Sequence, residues 1–532
     1  MNVRDIEIPY EADRSRRYRL FEILPGVVSW SILILPFVLS LFVPQVVIFM
    51  IIAYILLWFV KSMGMLVRNV QGLRRMDEYK QFPWRVMLED LQRGSVSDVA
   101  RIPSWHKDNL SRVKNIKPDD VYHALIIAAY NETREVLEPT IQSVLESDYD
   151  MKKVILVFAY EGRDGAQSED AVLQLAKEYG DKFAHTITAK HPLTPTEVRG
   201  KGGNITYAAR ILEKYLEEEK IDPINVIVTT LDSDNRPHPC YLASLSYLYV
   251  ICPDPLYASF QPVPIYTNNI WDAPAPMRVI ATGNSFWNIV LSMRPHMIRN
   301  FSSHAQGMQA LIETDYWSVR TIVEDGHQFW RTYFRFDGKH EVYPLYLPIY
   351  QDAVFSSSYK KTLKMQFVQL RRWAWGASDI AYVVDKGFFS KNNVPKKDLI
   401  MKLSRLVEGH ISWATAPLIL AFSGYIPALL NPKDFSSNQL PVIAGRIQTV
   451  AMVGILVTLY MSLKTLPPRP ERYKKHRSIF MVLQWVFLPF TTVIYNSLSA
   501  LNSQTRLMFG RYLDKFDVTD KATKTSDNKT VI

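Results

Sequence analysis

Apolar runs long enough to cross a lipid bilayer lie near the start of this chain and in its last quarter, with a mixed-polarity stretch between them. Residues 23–43 and 46–66 each approach the about 20 apolar residues that a helix needs to span the hydrocarbon core. Because only a short link containing Pro44 separates these runs, the sequence predicts a transmembrane helical hairpin over residues 23–66. We therefore expect an integral, multi-pass membrane protein.

The C-terminal membrane region, residues 409–505, contains further apolar runs. Residues 409–430 and 441–463 predict two crossings. The run over 479–499 has Pro489 near its middle and is followed by a basic tail, which allows two interpretations. We expect two half-length helices in a re-entrant hairpin, because this would return the tail to its starting side. A single crossing is the alternative.

Basic residues flank these runs and predict their orientation. Arginines are frequent in the N-terminal residues 1–22. Cations also lie at and after the end of the first hairpin: Lys61, Arg68, Arg74 and Arg75. Positively charged flanks stay in the cytoplasm, so the N-terminus, the central domain and the tail over 506–532 are expected there. The net charge of +10 lies mainly beside the apolar runs, which favours the lipid bilayer as a partner and argues against nucleic acid.

Two segments adjoin the membrane runs without being apolar enough to cross. Residues 67–118 are amphipathic and basic and contain Trp84 and Trp105, so they predict either a helix along the membrane surface or a plain connector. The same alternatives apply to residues 391–408, which we assign to an interfacial helix. These segments enclose a central domain over residues 119–390.

The central domain alternates short apolar runs with amphipathic segments. HALIIAAY (123–130), VILVFAY (154–160) and NVIVTTLD (225–232) are bounded by polar residues and predict buried strands. This alternation predicts an α/β domain with a mostly parallel sheet, inserted between transmembrane α-helices. Ligands of such sheets bind beyond the carboxyl ends of the strands, so we expect the functional residues there.

Two aspartates follow the third of these strands. Asp232 and Asp234 flank Ser233 on a tight turn, where their oxygens can share a divalent cation such as Mg²⁺ or Mn²⁺. Such a cation would neutralise a diphosphate leaving group. Taken alone, the pair also fits an acidic turn that only terminates the strand.

Two further motifs carry groups suited to phosphate and sugar chemistry. In the string Gln-x-x-Arg-Trp over residues 369–373, a guanidinium can hold phosphate oxygens and an indole offers a flat face to a sugar. In the pair Glu324-Asp325, a carboxylate can take the proton of an attacking hydroxyl. Taken alone, the first motif also fits a surface helix, and the second fits an acid pair at a helix start.

Taken together, in this order and between membrane helices, these motifs resemble those of the family 2 glycosyltransferases. Within that family they are similar to the branch that contains the cellulose, chitin and hyaluronan synthases, over the residues from Tyr122 to Ala377. The resemblance implies a GT-A fold for the central domain and Mn²⁺ or Mg²⁺ as cofactor. It also implies a nucleotide-sugar donor, UDP- or GDP-linked, and a glycan or lipid-linked acceptor.

The resemblance further implies a role for each residue that matches the family's motifs. Donor-binding roles fall on residues after the first strand, at a glycine-containing helix start and in the Asp-x-Asp turn: Tyr130, Asn131, Glu132, Lys201, Asn204 and Asp232. Asp232 and Asp234 would hold the metal, and Asp325 would be the general base. The diphosphate and the acceptor would meet Glu324, Gln369, Arg371, Arg372 and Trp373.

One position departs from the family's pattern. After the second strand the family usually carries Asp-Asp-Gly, whereas this chain has Tyr160-Glu161-Gly162. Glu161 keeps a carboxylate that can hold the nucleotide base, and a solvated loop carboxylate is the alternative. The departure leaves the base of the donor open.

The expected activity is inverting transfer of a sugar from a nucleotide-sugar donor to a growing polysaccharide, which could be coupled to export. Non-processive transfer to a lipid or glycan acceptor is the alternative within the same chemistry. A catalytically inactive membrane scaffold is the alternative from another class, and the altered Tyr160-Glu161 pair is the feature that would favour it. Nucleotide binding would separate the scaffold from the enzyme.

Overall fold

The computed structural model describes residues 5–162, 167–513, 523–524 and 530–531 of the 532-residue chain. Most of the predicted tail over 506–532 therefore lies outside the described residues. The helices that precede the sheet are α1 (Arg16–Ser40), α2 (Pro44–Tyr79), α3 (Trp84–Arg93) and α4 (His106–Asn109).

Eight strands form one sheet in the central domain. They are β1 (Tyr122–Ala129), β2 (Val154–Glu161), β3 (His185–His191), β4 (Val226–Asp232), β5 (Arg236–Pro237), β6 (Ala258–Tyr266), β7 (Ala305–Gly307) and β8 (Glu341–Gln351). Their order across the sheet is β3-β2-β1-β4-β7-β6-β8-β5. The six longer strands run in one direction, while the short β5 and β7 are antiparallel to their neighbours. The prediction of an α/β domain with a mostly parallel sheet is confirmed.

Helices cover both faces of this sheet. They are α5 (Arg134–Leu145), α6 (Gln167–Tyr179), α7 (Lys201–Glu218), α8 (Tyr241–Ile251), α9 (Ala275–Ser292), α10 (Met308–Glu313), α11 (Glu324–Arg335), α12 (Tyr359–Ala374) and α13 (Asp379–Val384). Leu125 and Ile127 of β1 pack in one apolar cluster, and Ala124 and Ile126 pack in a second cluster with α7. Burial on both faces explains why this strand reads as a continuous apolar run.

The remaining helices follow the sheet domain. They are α14 (Lys396–Phe422), α15 (Ile426–Leu430), α16 (Phe435–Ala451), α17 (Val453–Thr465), α18 (Arg477–Leu483), α19 (Leu488–Thr491) and α20 (Leu498–Met508). Two short strands, β9 (Thr523–Lys524) and β10 (Thr530–Val531), pair with each other near the C-terminus.

Five helical stretches are long and apolar enough to cross a membrane: Arg16–Ser40, Pro44–Tyr79, Lys396–Leu430, Phe435–Thr465 and Arg477–Met508. Most of their apolar surface is not covered by protein; only 6% of the apolar window in Phe435–Thr465 is buried. Such a surface would be costly in water and is stable against lipid tails. The α/β domain is thus inserted between helices of transmembrane length, as predicted.

Residues Arg477–Met508 form one continuous helical stretch, which corrects the expectation of two half-length helices for the run over 479–499. Pro489 does not break the stretch because it lies in the first turn of α19, where its missing N–H is tolerated. A 3₁₀ turn over Gln484–Phe487 precedes it and a π turn over Thr492–Ser497 follows. Such turns allow the backbone hydrogen bonds to change register without a break.

Both ends of this stretch contact the central domain. Near its start, Arg477 Nη2 donates a hydrogen bond to the carbonyl of Trp271 at 3.0 Å. Near its end, Leu507 packs with Ile322 and Trp375. The last apolar stretch therefore contacts the central domain near both of its ends.

The first helix of the chain packs against the last. Arg19 donates hydrogen bonds to the carbonyls of Leu507 and Met508, both at 2.6 Å. The hydroxyl of Tyr512 donates to the carboxylate of Glu22 at 2.7 Å. These hydrogen bonds join α1 to the C-terminal end of α20 and to Tyr512 just beyond it.

The segment between α2 and β1 packs on the central domain. α2 continues beyond its apolar part to Tyr79, and α3 buries Trp84, Met87 and Leu91. The Trp84 ring lies 5.5 Å from the ring of Tyr247 in α8. These contacts favour the connector interpretation of residues 67–118 over a helix along the membrane surface.

Candidate active site

The turn after β4 lies at the centre of the candidate site. Asp232 is the last residue of β4, and both of its carboxylate oxygens are engaged. Oδ1 lies 2.9 Å from Lys201 Nζ, and Oδ2 accepts a hydrogen bond from Ser302 Oγ at 2.6 Å. A third of the Asp232 side chain stays exposed, so a ligand can still reach it.

Asp234 is held by the strand at the other side of the turn. Its Oδ2 accepts a hydrogen bond from the backbone N–H of Asp352, just after β8, at 2.9 Å. Its backbone carbonyl accepts a hydrogen bond from Asn268 Nδ2 at 2.9 Å. Asp234 is buried, with 8% exposure, and its orientation is therefore set before any ligand binds.

The loop after β1 is tied to this turn through Glu132. One oxygen of the Glu132 carboxylate accepts hydrogen bonds from the backbone N–H groups of Tyr130 (2.7 Å) and Asn131 (3.1 Å). The other oxygen accepts a hydrogen bond from Ser233 Oγ at 3.0 Å. Glu132 thus aligns the loop after β1 with the Asp-x-Asp turn.

Lys201 begins α7 and connects the main acidic groups of the site. Its ammonium lies 2.9 Å from Asp232 and 3.5 Å from Asp325. Burial alone would lower the pKa of Lys201, but the carboxylates of Asp232, Asp325 and Glu324 outweigh burial and raise it. A permanently charged cation therefore lies between these acids.

The glycines after Lys201 allow α7 to approach its neighbours. A Cβ at Gly202 would lie 2.5 Å from the carbonyl oxygen of Ser318 and 3.2 Å from Glu324 Cβ. Distances this short are not tolerated between a methyl group and backbone. Glycine at position 202 therefore permits the contact that brings Lys201 to the start of α11.

Glu324 and Asp325 form the first turn of α11, and their environments differ. Glu324 is buried, whereas 19% of the Asp325 side chain is exposed. Burial, with the Asp325 carboxylate adding to it, raises the pKa of Glu324 well above its ordinary value, against the pull of Lys201 and Arg372. Neighbouring carboxyl groups in unlike surroundings can take different roles, and Asp325 is the one that solvent reaches.

His304 lies beside Asp325, with 3.6 Å between its Nδ1 and the nearer carboxylate oxygen. Its Nδ1 donates a hydrogen bond to the carbonyl of Phe301 at 2.8 Å, and its Nε2 accepts one from Trp317 at 3.1 Å. Burial lowers the pKa of His304, against the attraction of Asp325. Because both nitrogens of this neutral imidazole are engaged in hydrogen bonds, its orientation beside Asp325 is fixed.

The C-terminal end of α12 also approaches the site. Gln369, Arg371, Arg372 and Trp373 all belong to this end of the helix. The ring of Trp373 lies 6.3 Å from that of Tyr266, the last residue of β6. The pKa of Tyr266 is raised by burial first and then by Asp232 and Asp234, while Arg372 opposes the shift. The end of α12 therefore approaches the strand ends that carry the aspartates.

The edge formed by β2 and β3 carries the remaining predicted residues. Glu161 is the last residue of β2, is buried and pairs with His191 in the sheet. Asn204 lies in the first turn of α7, where its Oδ1 is 3.0 Å from His191 Nδ1. Both residues lie at the carboxyl ends of the parallel strands.

No protein-family model matches the chain, and no curated protein matches it. Among solved structures, the chain is similar to a mannosyltransferase from Pyrobaculum calidifontis in complex with GDP-Man and Mn²⁺. The identity is 15% and the TM-score 0.38, over 75% of this chain and 99% of that one. It is also similar to a fragment of S. aureus TarS, solved in complex with UDP and with UDP-GlcNAc. For that fragment the identity is 11% and the TM-scores are 0.37 and 0.36, over 75% of this chain and 95% of the fragment.

The carboxylate oxygens at the Asp-x-Asp turn fit a hard divalent cation whose other ligands would come from a phosphate group. Among the residues that the structure describes, no group of three or more His, Cys, Asp or Glu side chains is placed to hold a metal ion. Mg²⁺ commonly binds through one or two carboxylates plus substrate phosphates. Asp232 and Asp234 can supply these carboxylates, and both have oxygens as the only donor type.

Three residues of the site were not among those predicted: Ser302, His304 and Tyr266. Ser302 and His304 belong to an irregular segment before β7, a strand of three residues. The available signal was the polar string Ser302-Ser303-His304. Tyr266 ends β6, and a polar aromatic residue at the end of an apolar strand is the signal that could have identified it.

Proposed function

We propose that this chain is an inverting membrane glycosyltransferase that moves a sugar from a UDP- or GDP-sugar to a growing polysaccharide. The observation that carries the proposal is the position of Lys201, which contacts Asp232 at the end of β4 and Asp325 at the start of α11. Asp232, the predicted donor-binding residue, and Asp325, the predicted base, thus contact the same ammonium group. A GT-A enzyme like the cellulose, chitin and hyaluronan synthases needs these groups side by side.

Asp325 acts as the general base. The acceptor hydroxyl attacks the anomeric carbon, a new carbon–oxygen bond forms, and the hydroxyl proton passes to the Asp325 carboxylate. On the opposite side, the bond from the anomeric carbon to the diphosphate oxygen breaks, and the nucleoside diphosphate leaves with the bonding electrons. A single displacement of this kind inverts the anomeric centre and requires one carboxylate base.

Cations of this chain offset the charge that develops on the diphosphate. Lys201 lies beside Asp232, and Arg372 lies at the end of α12, where it acts on Glu324. Positive groups that are positioned before the reaction stabilise a developing negative charge without reorganisation. A Mn²⁺ or Mg²⁺ ion held by Asp232 and Asp234, when bound, would add positive charge at the same diphosphate.

Donor recognition is assigned to the carboxyl ends of β1 and β2. Tyr130, Asn131 and Glu161 lie there, where parallel strands of such sheets meet a nucleotide. Glu132 and Asn204 act by holding their neighbours, because Glu132 bonds the Asp-x-Asp turn and Asn204 bonds His191. The carboxylate of Glu161 would accept a hydrogen bond from the donor's base.

The acceptor side of the site adjoins the membrane helices. Leu370 and Trp373 of α12 pack in one apolar cluster with Trp413 of α14 and Tyr495 of the last helical stretch. Gln369 and Arg371 share this end of α12. This proximity supports an acceptor that reaches the site along the bilayer, with the catalytic domain on the cytoplasmic face as the basic flanks predict. A lipid-linked acceptor would approach from the same side, so product length separates single transfer from polymer synthesis.

The test is nucleoside diphosphate release by the purified full-length protein in detergent, with Mn²⁺ and a panel of UDP- and GDP-sugars. Asp325→Asn should bind nucleotide as the wild type does and should release nucleoside diphosphate at least about a hundredfold more slowly, because a general base contributes roughly 10²–10⁴-fold. Asp119→Asn is the matched control, since Asp119 is exposed before β1.

Turnover by Asp325→Asn at the wild-type rate would remove Asp325 as the base. A product with the donor's anomeric configuration retained would contradict single displacement. Failure of the wild type to bind any nucleotide of the panel would contradict the transferase and favour the membrane scaffold.

A further inference from the structure

Residues 5–10, here called the N-terminal strap, lie against the central domain ahead of α1. Ile6 and Ile8 are buried, with 8% and 6% exposure, in a cluster that contains Trp330 of α11 and Tyr382 of α13. The hydroxyl of Tyr382 donates a hydrogen bond to the carbonyl of Ile6 at 2.6 Å. The strap is therefore a packed part of the domain.

Glu7 lies between these two isoleucines and joins two elements near the active site. Its Oε1 accepts a hydrogen bond from Ser318 Oγ at 2.5 Å, and its Oε2 forms an ion pair with Arg331 of α11. Arg331 is almost fully buried, with 1% exposure. A buried guanidinium that loses its carboxylate is strongly unfavourable, so Glu7 stabilises Arg331 in this position.

Arg331 and Arg320 extend the contacts of the strap to the chain that precedes α11. Arg331 Nη2 donates a hydrogen bond to the carbonyl of Thr314 at 2.7 Å. Arg320 Nη1 donates one to the carbonyl of Ile8 at 2.9 Å, and its guanidinium lies 3.7 Å from the ring centre of Tyr10. The strap thus contacts the middle of residues 314–323 directly, at Ser318 and Arg320, and reaches their beginning only through Arg331.

Residues 314–323 form the segment that leads into Glu324 and Asp325, and they contain no helix or strand. Asp315 and Tyr316 both have left-handed backbone angles, with φ of 51° and 56°, which residues other than glycine rarely adopt. On one side α7 holds the segment, since Thr206 Oγ1 donates a hydrogen bond to the carbonyl of Trp317 at 3.0 Å. On the other side the strap holds it.

We infer that the N-terminal strap is a positioning element for the active site and that Glu7 is its central residue. By holding Arg331 and Ser318, Glu7 keeps the start of α11 pressed toward Lys201, with the Asp325 carboxylate 3.5 Å from its ammonium. The strap residues lie outside the sets assigned to the donor and to the acceptor. The strap's role in turnover rests on the proposed function, whereas its role in ordering residues 314–325 does not.

Turnover and binding are compared between Glu7→Gln and the wild type in the full-length protein. Glu7→Gln should lower kcat about tenfold or more, because a displacement of about 1 Å at a reacting group can cost about 10²-fold. The affinity for nucleotide should stay within about twofold of the wild type, since the donor is assigned to the ends of β1, β2 and β4. Glu11→Gln is the matched control, because Glu11 is an exposed glutamate just beyond the strap.

A variant that lacks residues 2–10 provides an independent test. A peptide of residues 2–12 added in trans should restore kcat to this variant, and the same peptide with Gln at position 7 should not. Wild-type kcat in Glu7→Gln would overturn the inference. Equal loss of nucleotide affinity and kcat would also overturn it, because the strap would then support the domain as a whole.

Hydrogen–deuterium exchange without substrate separates this inference from the proposed function. Amides of residues 314–325 should exchange faster in Glu7→Gln than in Glu11→Gln, while β1 and β4 should be unchanged. Unchanged exchange over 314–325 would contradict the strap whether or not the wild type turns over any donor. Faster exchange over residues 314–325 in a protein that binds no nucleotide would support the positioning role of the strap and contradict the transferase function.

Discussion

The carboxylate of Asp325 lies 3.5 Å from the ammonium of Lys201, and each residue lies in the first turn of a different helix. The close packing of Gly202 of α7 against Ser318 and Glu324 sets the distance between the two helix starts. The base of the proposed reaction is therefore positioned by helix packing, and a change in that packing should alter catalysis as directly as a change of the base itself.

Replacement of Lys201 by methionine should weaken both stability and turnover. Asp232 and Asp325 would lose their shared cation, and because both carboxylates are partly exposed the cost should stay below the about 3–5 kcal/mol of a fully buried pair. Nucleoside diphosphate release should fall about a hundredfold, since one preorganised charge at a leaving group has roughly this effect. Thermal unfolding and single-turnover kinetics measure the two losses. Lys214→Met, at an exposed position of the same helix, should change neither.

Ser302→Ala should weaken the binding of the divalent cation. The hydroxyl of Ser302 donates a 2.6 Å hydrogen bond to Asp232 Oδ2, and hydrogen bonds to charged groups contribute about 1.5–3 kcal/mol. Without it, Asp232 is less well oriented, and the Mn²⁺ concentration for half-maximal turnover should rise about tenfold or more. A titration of turnover with Mn²⁺ tests this. The exposed Ser357→Ala serves as the control, and coincident titration curves would contradict the assignment.

Alanine at two helical glycines should have opposite effects. At Gly202 the new Cβ would lie 2.5 Å from the Ser318 carbonyl, and overpacking of this kind costs about 1–3 kcal/mol and should reduce turnover as α7 shifts. At Gly283 in α9, nothing lies within 4 Å of the new Cβ, so alanine should stabilise the helix by about 0.5–1 kcal/mol. Thermal unfolding of both variants decides; equal melting temperatures would refute the packing argument.

The free energy of unfolding should fall in mild acid because of His123. Burial lowers the pKa of this histidine to about 3, from an ordinary value of 6.5. Below pH 6.5 the unfolded chain therefore binds a proton that the folded chain does not, and the free energy of unfolding falls as pH falls. From pH 7.5 to 5.5 the loss for this group is about 1.4 kcal/mol. Thermal unfolding of wild type and His123→Gln at both pH values measures it. An equal pH dependence in the two proteins would contradict the prediction.

Residues that directly follow an apolar strand could be placed from the sequence. Asp232 ends β4 and Glu161 ends β2, and the carboxyl ends of parallel strands share one edge. Lys201 and Asp325 could be assigned because they match motifs, but no local pattern shows that α7 and α11 touch. That contact depends on long-range packing through Gly202, which a pattern along the chain does not contain.

Residues in irregular segments could not be found in this way. Ser302 and His304 reach the site because β7 inserts between β4 and β6, and a strand of three residues has too little periodicity to be recognised. Glu7 lies far from every motif in the chain, and its contacts exist only because the strap folds back on α11. The continuity of the last helical stretch was missed for a different reason: Pro489 suggested a break, and its position in a first helical turn depends on the turns around it.

The pairing of Arg19 with the carbonyls of Leu507 and Met508 has a consequence for biosynthesis. The ribosome makes α1 long before α20, so α1 is without its partner while the residues between the two helices are translated. Interactions between such distant parts form late. Nascent chains that end before residue 498 should accordingly be substrates for quality control, even when the central domain has already folded.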